Sequence, residues 1–348
     1  MSRTAIVLFN LGGPDSLDAV RPFLLNLFSD PAIIRVPQPL RSLLARLIAA
    51  RRAPVAREIY RRLGGRSPIL PETEAQAQAL EAALGDLGTV KAFVAMRYWH
   101  PMIGAAARAV AAYAPQRIVL LPLYPQFSTT TTASSLKAWR KASEQAGLDC
   151  PSVALCCYPG ADGFVDAMVS MIRPALQEAR AHGTPRLLLS AHGLPKKIVT
   201  AGDPYQWQVE ETARRIVERL DIEGLEWRVC YQSRVGPLEW LGPATDEEVR
   251  CAGADKRAVV LAPIAFVSEH SETLVELDIE YRGLAERSGV LRYARVPAVG
   301  VSEAFVGALA ALVREALAAM PARGMHVCAE RGERLCPAAF AGCAMAGH

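Results

Sequence analysis

The chain has 348 residues, 51% of them hydrophobic and 21% charged, with a formal net charge of +4. That length supplies two domains with full cores, and so mild a charge argues against a dedicated nucleic-acid binder. No uninterrupted apolar run approaches the ~18 residues of a membrane span. The first apolar run passes straight into Gly12-Gly13-Pro14 with no small-residue cleavage site, so a cytoplasmic protein is expected.

In chain order, apolar runs at Thr4–Asn10, Val90–Met96, Arg117–Leu121, Val153–Cys157, Arg186–Ser190, Trp227–Tyr231 and Ala258–Ile264 predict strands. Helical patterns between several of them predict an α/β fold with parallel sheets. Three strand-to-loop units recur in the same order. Thr4–Asn10 ends in Asn10-Leu11-Gly12-Gly13-Pro14, and Arg186–Ser190 ends in Ser190-Ala191-His192-Gly193-Leu194-Pro195. Val90–Met96 ends in Arg97-Tyr98-Trp99-His100-Pro101, and Trp227–Tyr231 in Gln232-Ser233-Arg234-Val235-Gly236-Pro237. Val119-Leu120-Leu121-Pro122 leads to Phe127-Ser128, and Val260-Leu261-Ala262-Pro263 to Phe266-Val267-Ser268. The repetition predicts two similar Rossmann-like halves, each a parallel sheet flanked by helices. They are expected over residues 1–155 and 156–320, the last helix free to pack back on the first half, with a cysteine-bearing tail over 321–348. Ligands of such sheets bind beyond the carboxyl ends of the strands, so these loops are expected to face one shared cleft.

Residues 31–54 differ in kind. Apolar residues such as Ile33, Leu43 and Leu47 mix with Arg35, Arg41, Arg46, Arg51 and Arg52, and no acid occurs between Asp30 and Glu58. Two readings stand: an amphipathic lip on an anionic membrane surface, or a core helix with arginines on its wet side.

Ser128 to Thr132 place hydroxyls at an expected helix start, suiting either an anion or simple capping. His192 follows a buried strand directly, a position suited to chemistry as well as to structure. Ser268 is the expected N-cap of an acidic helix. At helical spacing Glu272, Glu276 and Glu280 make one stripe, with His270 at its head and no Lys or Arg between Arg257 and Arg282. Carboxylates with imidazole suit guiding a divalent metal or relaying protons; the other reading is a solvated face paired with distant bases. Gly12-Gly13-Pro14 lacks the third glycine and the acid of a dinucleotide loop, and there is no P-loop and no nucleophile elbow.

Taken together, Leu189-Ser190-Ala191-His192-Gly193-Leu194-Pro195, the Gln232–Pro237 loop with Trp240-Leu241-Gly242-Pro243, and the stretch from Pro263 to Tyr281 resemble ferrochelatases. So do Asn10–Pro14, Tyr60-Arg61-Arg62 with Ser67-Pro68-Ile69, Arg97-Tyr98 with His100-Pro101, and Tyr124-Pro125-Gln126-Phe127-Ser128, in the family's order from residue 4 to about 320. The resemblance implies two chelatase-type domains that insert Fe(II) into protoporphyrin IX, giving protohaem and two protons in the terminal step of haem synthesis. Porphyrin and ferrous iron are then substrates, and no nucleotide is needed. It implies catalytic roles for His192, Glu272 and His270, and an acidic path through Glu276 and Glu280. It places Leu11, Arg52, Tyr60, Ser67, Arg97, Tyr124, Ser128, Gln232 and Trp240 at the porphyrin. It also implies peripheral contact of residues 31–54 with the inner face of the cytoplasmic membrane, and it allows a homodimer. Rival readings are a coproporphyrin III ferrochelatase, a cobalt or nickel chelatase, and a non-catalytic haem or metal delivery protein.

Eight cysteines are unevenly spread, and in a cytoplasmic protein clustered thiols point to metal or redox work. Some family members carry a [2Fe-2S] cluster with three ligands in the tail and a fourth earlier. Here the tail offers Cys328, Cys336 and Cys343, and Cys156 or Cys157 is the expected fourth; free thiols or zinc are the alternatives.

Overall fold

The computed structural model describes residues 3–234 and 236–346; Val235 of the Gln232–Pro237 motif lies outside the described residues. The chain divides into two units, Met1–Cys156 with Ala310–Glu333, and Cys157–Leu309 with Arg334–His348.

The first unit runs β1 (Arg3–Asn10), α1 (Val20–Ser29), α2 (Leu40–Arg62), α3 (Ile69–Ala83), β2 (Thr89–Met96), α4 (Ile103–Tyr113), β3 (Arg117–Pro122), α5 (Thr132–Gln145) and β4 (Ser152–Leu155). The second holds α6 (Asp162–Arg180), β5 (Pro185–His192), α7 (Lys196–Thr200), α8 (Tyr205–Leu220), β6 (Glu226–Gln232), α9 (Thr245–Ala254) and β7 (Ala258–Pro263). A π-helix (Glu272–Glu280) follows and runs into α10 (Tyr281–Ser288), then β8 (Tyr293–Arg295) and α11 (Glu303–Ala318). The chain returns to the first unit within α11, from Ala310 on, as the expectation for the last helix allowed, and β9 (Met325–Cys328) belongs there too, although the sequence reading placed it in the tail.

Every strand pairing is parallel, in the orders β2-β1-β3-β4-β9 and β6-β5-β7-β8. Set side by side, the first four strands of each unit follow one pattern, second-first-third-fourth. The duplication read from the loops is therefore a duplication of topology. The central strands are continuous apolar runs because helices cover both faces of such sheets: β1 is buried from Thr4 to Asn10, and β7 throughout. Strand β5 runs through His192, two residues beyond the expected end, because His192 pairs in register with Gln232 on β6.

Helix α2 is built inside out relative to an ordinary core helix. It buries Ala45, Ala49, Ala53 and Tyr60, with Ala49 and Ala53 packed against Val20, Phe23 and Leu24 of α1. Small side chains let the two helices approach closely. Leu43 and Leu47 instead stand 64% and 63% exposed among the arginines. No helix among the described residues is long and apolar enough to cross a membrane.

Candidate active site

In the second unit, the ends of β5 and β6 and the π-helix bring their polar side chains together. His192 Nδ1 lies 2.9 Å from Glu272 Oε2. Ser233, the residue after β6, joins the acids. Its hydroxyl donates to Glu272 Oε2 at 3.1 Å and also to Glu276, and its backbone N–H donates to Glu276 Oε1 at 2.8 Å. Tyr281 Oη donates to the same Glu276 oxygen at 2.9 Å. Ser233 holds a left-handed backbone, φ 60°, which an L-residue adopts only against a steric penalty. The loops are pinned close: Gly193 N–H donates to Gln232 O at 2.9 Å, and a Cβ on Gly193 would meet that oxygen at the same distance. Trp240 forms an isolated antiparallel bridge with Pro195, and its indole N–H is buried without a hydrogen-bond partner among the described residues.

The acidic segment departs from the expected helix. Residues 264–270 are turns and bends, so Ser268 is no N-cap, and the helix starts at Ser271 with i→i+5 winding. Like charges four apart oppose a regular α-helix, and here Ser233, Tyr281 and His192 supply the partners that hold the wider turn. Arg295 is not paired with Glu272 or Glu276 among the described residues. It pairs instead with Glu269 at 2.8 Å and Asp278 at 3.4 Å. Glu280 is exposed. His270 is buried, its ring centroid 4.4 Å from that of Phe266 and its backbone N–H donating to Thr273 Oγ1 at 2.9 Å.

Charge separates these groups by proton affinity. Burial acts to lower the His192 pKa, but the Glu272 carboxylate, by charge and hydrogen bond, and Glu276, by charge, raise it above the ordinary imidazole value. Burial acts to raise Glu272, yet His192, His270 and Ser233 pull it down to about 2. Glu276 moves the other way, raised by burial and by the Glu272 charge. For His270, burial dominates and lowers the pKa. Two carboxylates one turn apart thus differ in readiness to take a proton, the arrangement by which one site divides acid and base roles.

In the first unit, the porphyrin candidates cluster beyond the ends of β1 to β3. Leu11 follows β1 and its carbonyl accepts from Tyr98 N–H at 2.9 Å. Arg97 follows β2, and its guanidinium lies over the Tyr98 ring at 4.9 Å. Tyr124 follows β3, its hydroxyl buried. Ser128 is buried and shares a 2.8 Å hydrogen bond with Thr130. Ser67 is buried beside Pro14, whose carbonyl accepts the Ser67 N–H at 2.8 Å. Tyr60 packs in the cluster that also holds Tyr98, while Arg52 is exposed with its guanidinium over Phe28. In the second unit, Gln232 is buried and accepts from Ser190 Oγ at 2.6 Å, its Nε2 without a partner among the described residues.

Asp30 holds the first-unit cluster, and sequence reasoning did not single it out. It is buried and accepts from Arg97 Nη2 at 2.7 Å, Tyr98 Oη at 2.8 Å and Ser134 Oγ at 2.5 Å, while Ala32 N–H donates to its other oxygen. Burial opposes its ionisation, but Ser134, the Ala32 N–H and the Arg97 charge hold its carboxyl below the usual range. Its one sequence signal is position, as the last acid before the arginine-rich segment. Ser233 and Tyr281 were also missed as site residues, since nothing local marks a left-handed serine.

The candidate cluster thiols are all buried, in two neighbouring pairs. Cys156 N–H donates to the Cys328 carbonyl at 2.7 Å. Cys343 shares a hydrogen bond with Cys336, which with Arg334 draws its thiol down to about 6 despite burial. Burial pushes Cys328 up to about 12. Among the described residues no three His, Cys, Asp or Glu side chains gather as a metal site. The donor set itself, soft thiols with an amide N–H given to sulfur by Gln208 at 3.0 Å, suits an iron–sulfur cluster.

Comparison with known proteins gives the family of the chain. The ferrochelatase family model matches residues 3–317. A ferrochelatase of Phenylobacterium zucineum is 54% identical over 98% of both chains, and one of Caulobacter vibrioides 53% identical over 94% of both. Among solved structures, SirB from Bacillus subtilis with Fe3+ matches 91% of this chain and 96% of its own at a TM-score of 0.54 and 13% identity, a likeness of fold. With the family pattern carried almost end to end at half-identity, the chain belongs to the ferrochelatases, metal chelatases of haem synthesis.

Proposed function

We propose that the chain inserts Fe(II) into protoporphyrin IX and that His192 and Glu272 are the reacting pair. The observation that carries this reading is the 2.9 Å contact between them, backed by Glu276 on the shared Ser233. Insertion brings in two positive charges and releases two protons, so the site must accept protons while tolerating a dication. With Nδ1 held by Glu272, the Nε2 side of His192 is the side that takes a pyrrole proton. Glu272, kept ionised by its low pKa, offsets the charge of the imidazolium or of the metal. Glu276, with the higher proton affinity, is the next acceptor outward. Glu280 continues the path at the surface, and His270 supports Glu272 by charge.

Arg52, Ser67 and Gln232 are assigned to the propionates, and Leu11, Tyr60, Arg97, Tyr124, Ser128 and Trp240 to the macrocycle. The exposed leucines of α2 among arginines support peripheral contact with an anionic membrane, which co-sedimentation with anionic against neutral vesicles would test. Cys156, Cys328, Cys336 and Cys343 are assigned as ligands of a [2Fe-2S] cluster, which would supply a one-electron centre apart from the chelation chemistry. Cys156 is preferred to Cys157 because it adjoins Cys328. A visible spectrum of anaerobically purified protein tests the cluster; a colourless, zinc-loaded protein would remove it.

The deciding experiment is iron insertion measured with protoporphyrin IX and coproporphyrin III, for the wild type and Glu272→Gln. Faster turnover of coproporphyrin III would overturn the substrate assignment. Unchanged turnover in Glu272→Gln would overturn the reacting pair.

A further inference from the structure

Helix α8 begins after α7, and two residues of its N-terminal part, on one side of the helix, bond to different partners. Tyr205 Oη donates to the backbone carbonyl of His192 at 3.0 Å. Gln208, three residues on and fully buried, donates its amide N–H to Cys336 Sγ at 3.0 Å. Residues at i and i+3 of a helix lie on one side. Asp203 fixes the start of the helix by accepting the Tyr205 N–H at 3.0 Å.

The tail is docked on this same turn. Gly342 N–H donates to Gly202 O at 3.0 Å, and a Cβ on Gly342 would meet that oxygen at 2.9 Å. The two backbones therefore touch where only glycine fits. Trp207 and Phe340 face each other at 6.3 Å between ring centroids. Arg334 closes the tail into a hook, its guanidinium donating to the carbonyls of Cys336 at 3.0 Å, Pro337 at 2.9 Å and Phe340 at 3.0 Å. One end of this assembly is a thiol, and the other is the peptide that carries His192.

We propose that residues 334–346 brace the first turn of α8 and thereby set the position of His192, with Tyr205 and Gln208 as the positioning residues at its two ends. The proposal rests on the reading of His192 as a reacting residue. It makes the rate of iron insertion depend on the tail hook, although the hook holds none of the reacting groups. The Tyr205 and Gln208 hydrogen bonds are single links beside the Gly342–Gly202 and Trp207–Phe340 contacts, so the loss of each is expected to act by a modest factor.

The test uses the full-length protein and two variants, Tyr205→Phe, which removes only a hydroxyl, and Gln208→Leu. Each should lower kcat about three- to tenfold, the size of one lost hydrogen bond, with the porphyrin KM unchanged. The double variant should be no slower than the slower single variant, because both act through one helix turn. Amide hydrogen exchange over residues 189–195 should quicken in both variants, a change that loss of general stability would spread over all strands. Unchanged exchange and unchanged kcat in both variants would overturn the brace. His192→Ala separates the two ideas. If it inserts iron normally while exchange still quickens in Gln208→Leu, the role of His192 falls and the brace stands.

Discussion

The two units share one strand order but complete it with opposite charge balance. In each, the segment at the end of the second strand, Arg97-Tyr98 in the first unit and Gln232-Ser233 in the second, meets carboxylate oxygen. In the first, the Asp30 carboxylate faces the Arg97 guanidinium and two hydroxyls, so its charge is matched where it stands. In the second, Glu272 and Glu276 share a serine, a tyrosine donates to Glu276 alone, and the group facing Glu272 is an imidazole whose charge can change. The duplicated topology places polar groups at strand ends twice. On the proposed assignment of His192 and Glu272, what would make one end a holding surface and the other a reactive one is the replacement of a permanent cation by a titratable one.

The largest effect should come from removing that titratable group. His192→Ala is expected to slow iron insertion by about 10²–10⁴-fold, equivalent to ~3–5 kcal/mol of barrier, with denaturant stability little changed. Loss of stability in step with activity would mean that His192 is a structural residue like Asp30, and the contrast between the units would collapse.

Asp30→Asn attacks the other side. Leaving Arg97 without its carboxylate should destabilise the protein by about 3 kcal/mol, read as a lower denaturant midpoint. The sign with pH is definite. The Asp30 carboxyl lies below its ordinary value in the folded protein, so its contribution is present above that ordinary value and is lost as pH falls through the folded one. The gap between wild type and Asp30→Asn should therefore narrow on acidification below about pH 4. A gap that stayed constant with pH would mean that the carboxylate charge does not contribute.

Ser233→Ala should act less, by about 2 kcal/mol, because two carboxylates lose a hydroxyl donor while Glu276 keeps the backbone N–H. Near-neutral stability would show that water replaces the hydroxyl, and that Ser233 is not the joint between the two acids.

These residues also mark where sequence reading reaches its limit. The repeated strand-to-loop units made the sheet topology legible because periodicity and loop order are local signals, and they put His192 and Glu272 in the same half. Strand β8 was not legible because three residues carry no period. Strand β9 was not legible because it exists only by pairing with β4, some 170 residues earlier. The acidic stripe was visible, but not its π winding, which depends on partners from β5 and β6. The left-handed Ser233 and the buried Asp30 belong to the same class. Each is set by a tertiary hydrogen bond, and neither residue type announces one.

The finest test of the contrast is the pH dependence of Glu276→Gln. His192 must be neutral to accept a pyrrole proton, so the rate should climb as pH rises through its pKa. That pKa is raised in part by the negative charge of Glu276. Replacing Glu276 by a neutral isostere removes this contribution, so the rising limb of kcat/KM should move to lower pH. The shift requires Glu276 to be ionised in the pH range where His192 titrates. That condition is met only if its raised pKa still lies below that of His192. An unmoved limb would place Glu276 in its protonated form throughout, unable to accept the proton leaving His192. The outward path would then have to start at another group, and the second unit would hold a single working carboxylate, as the first unit does.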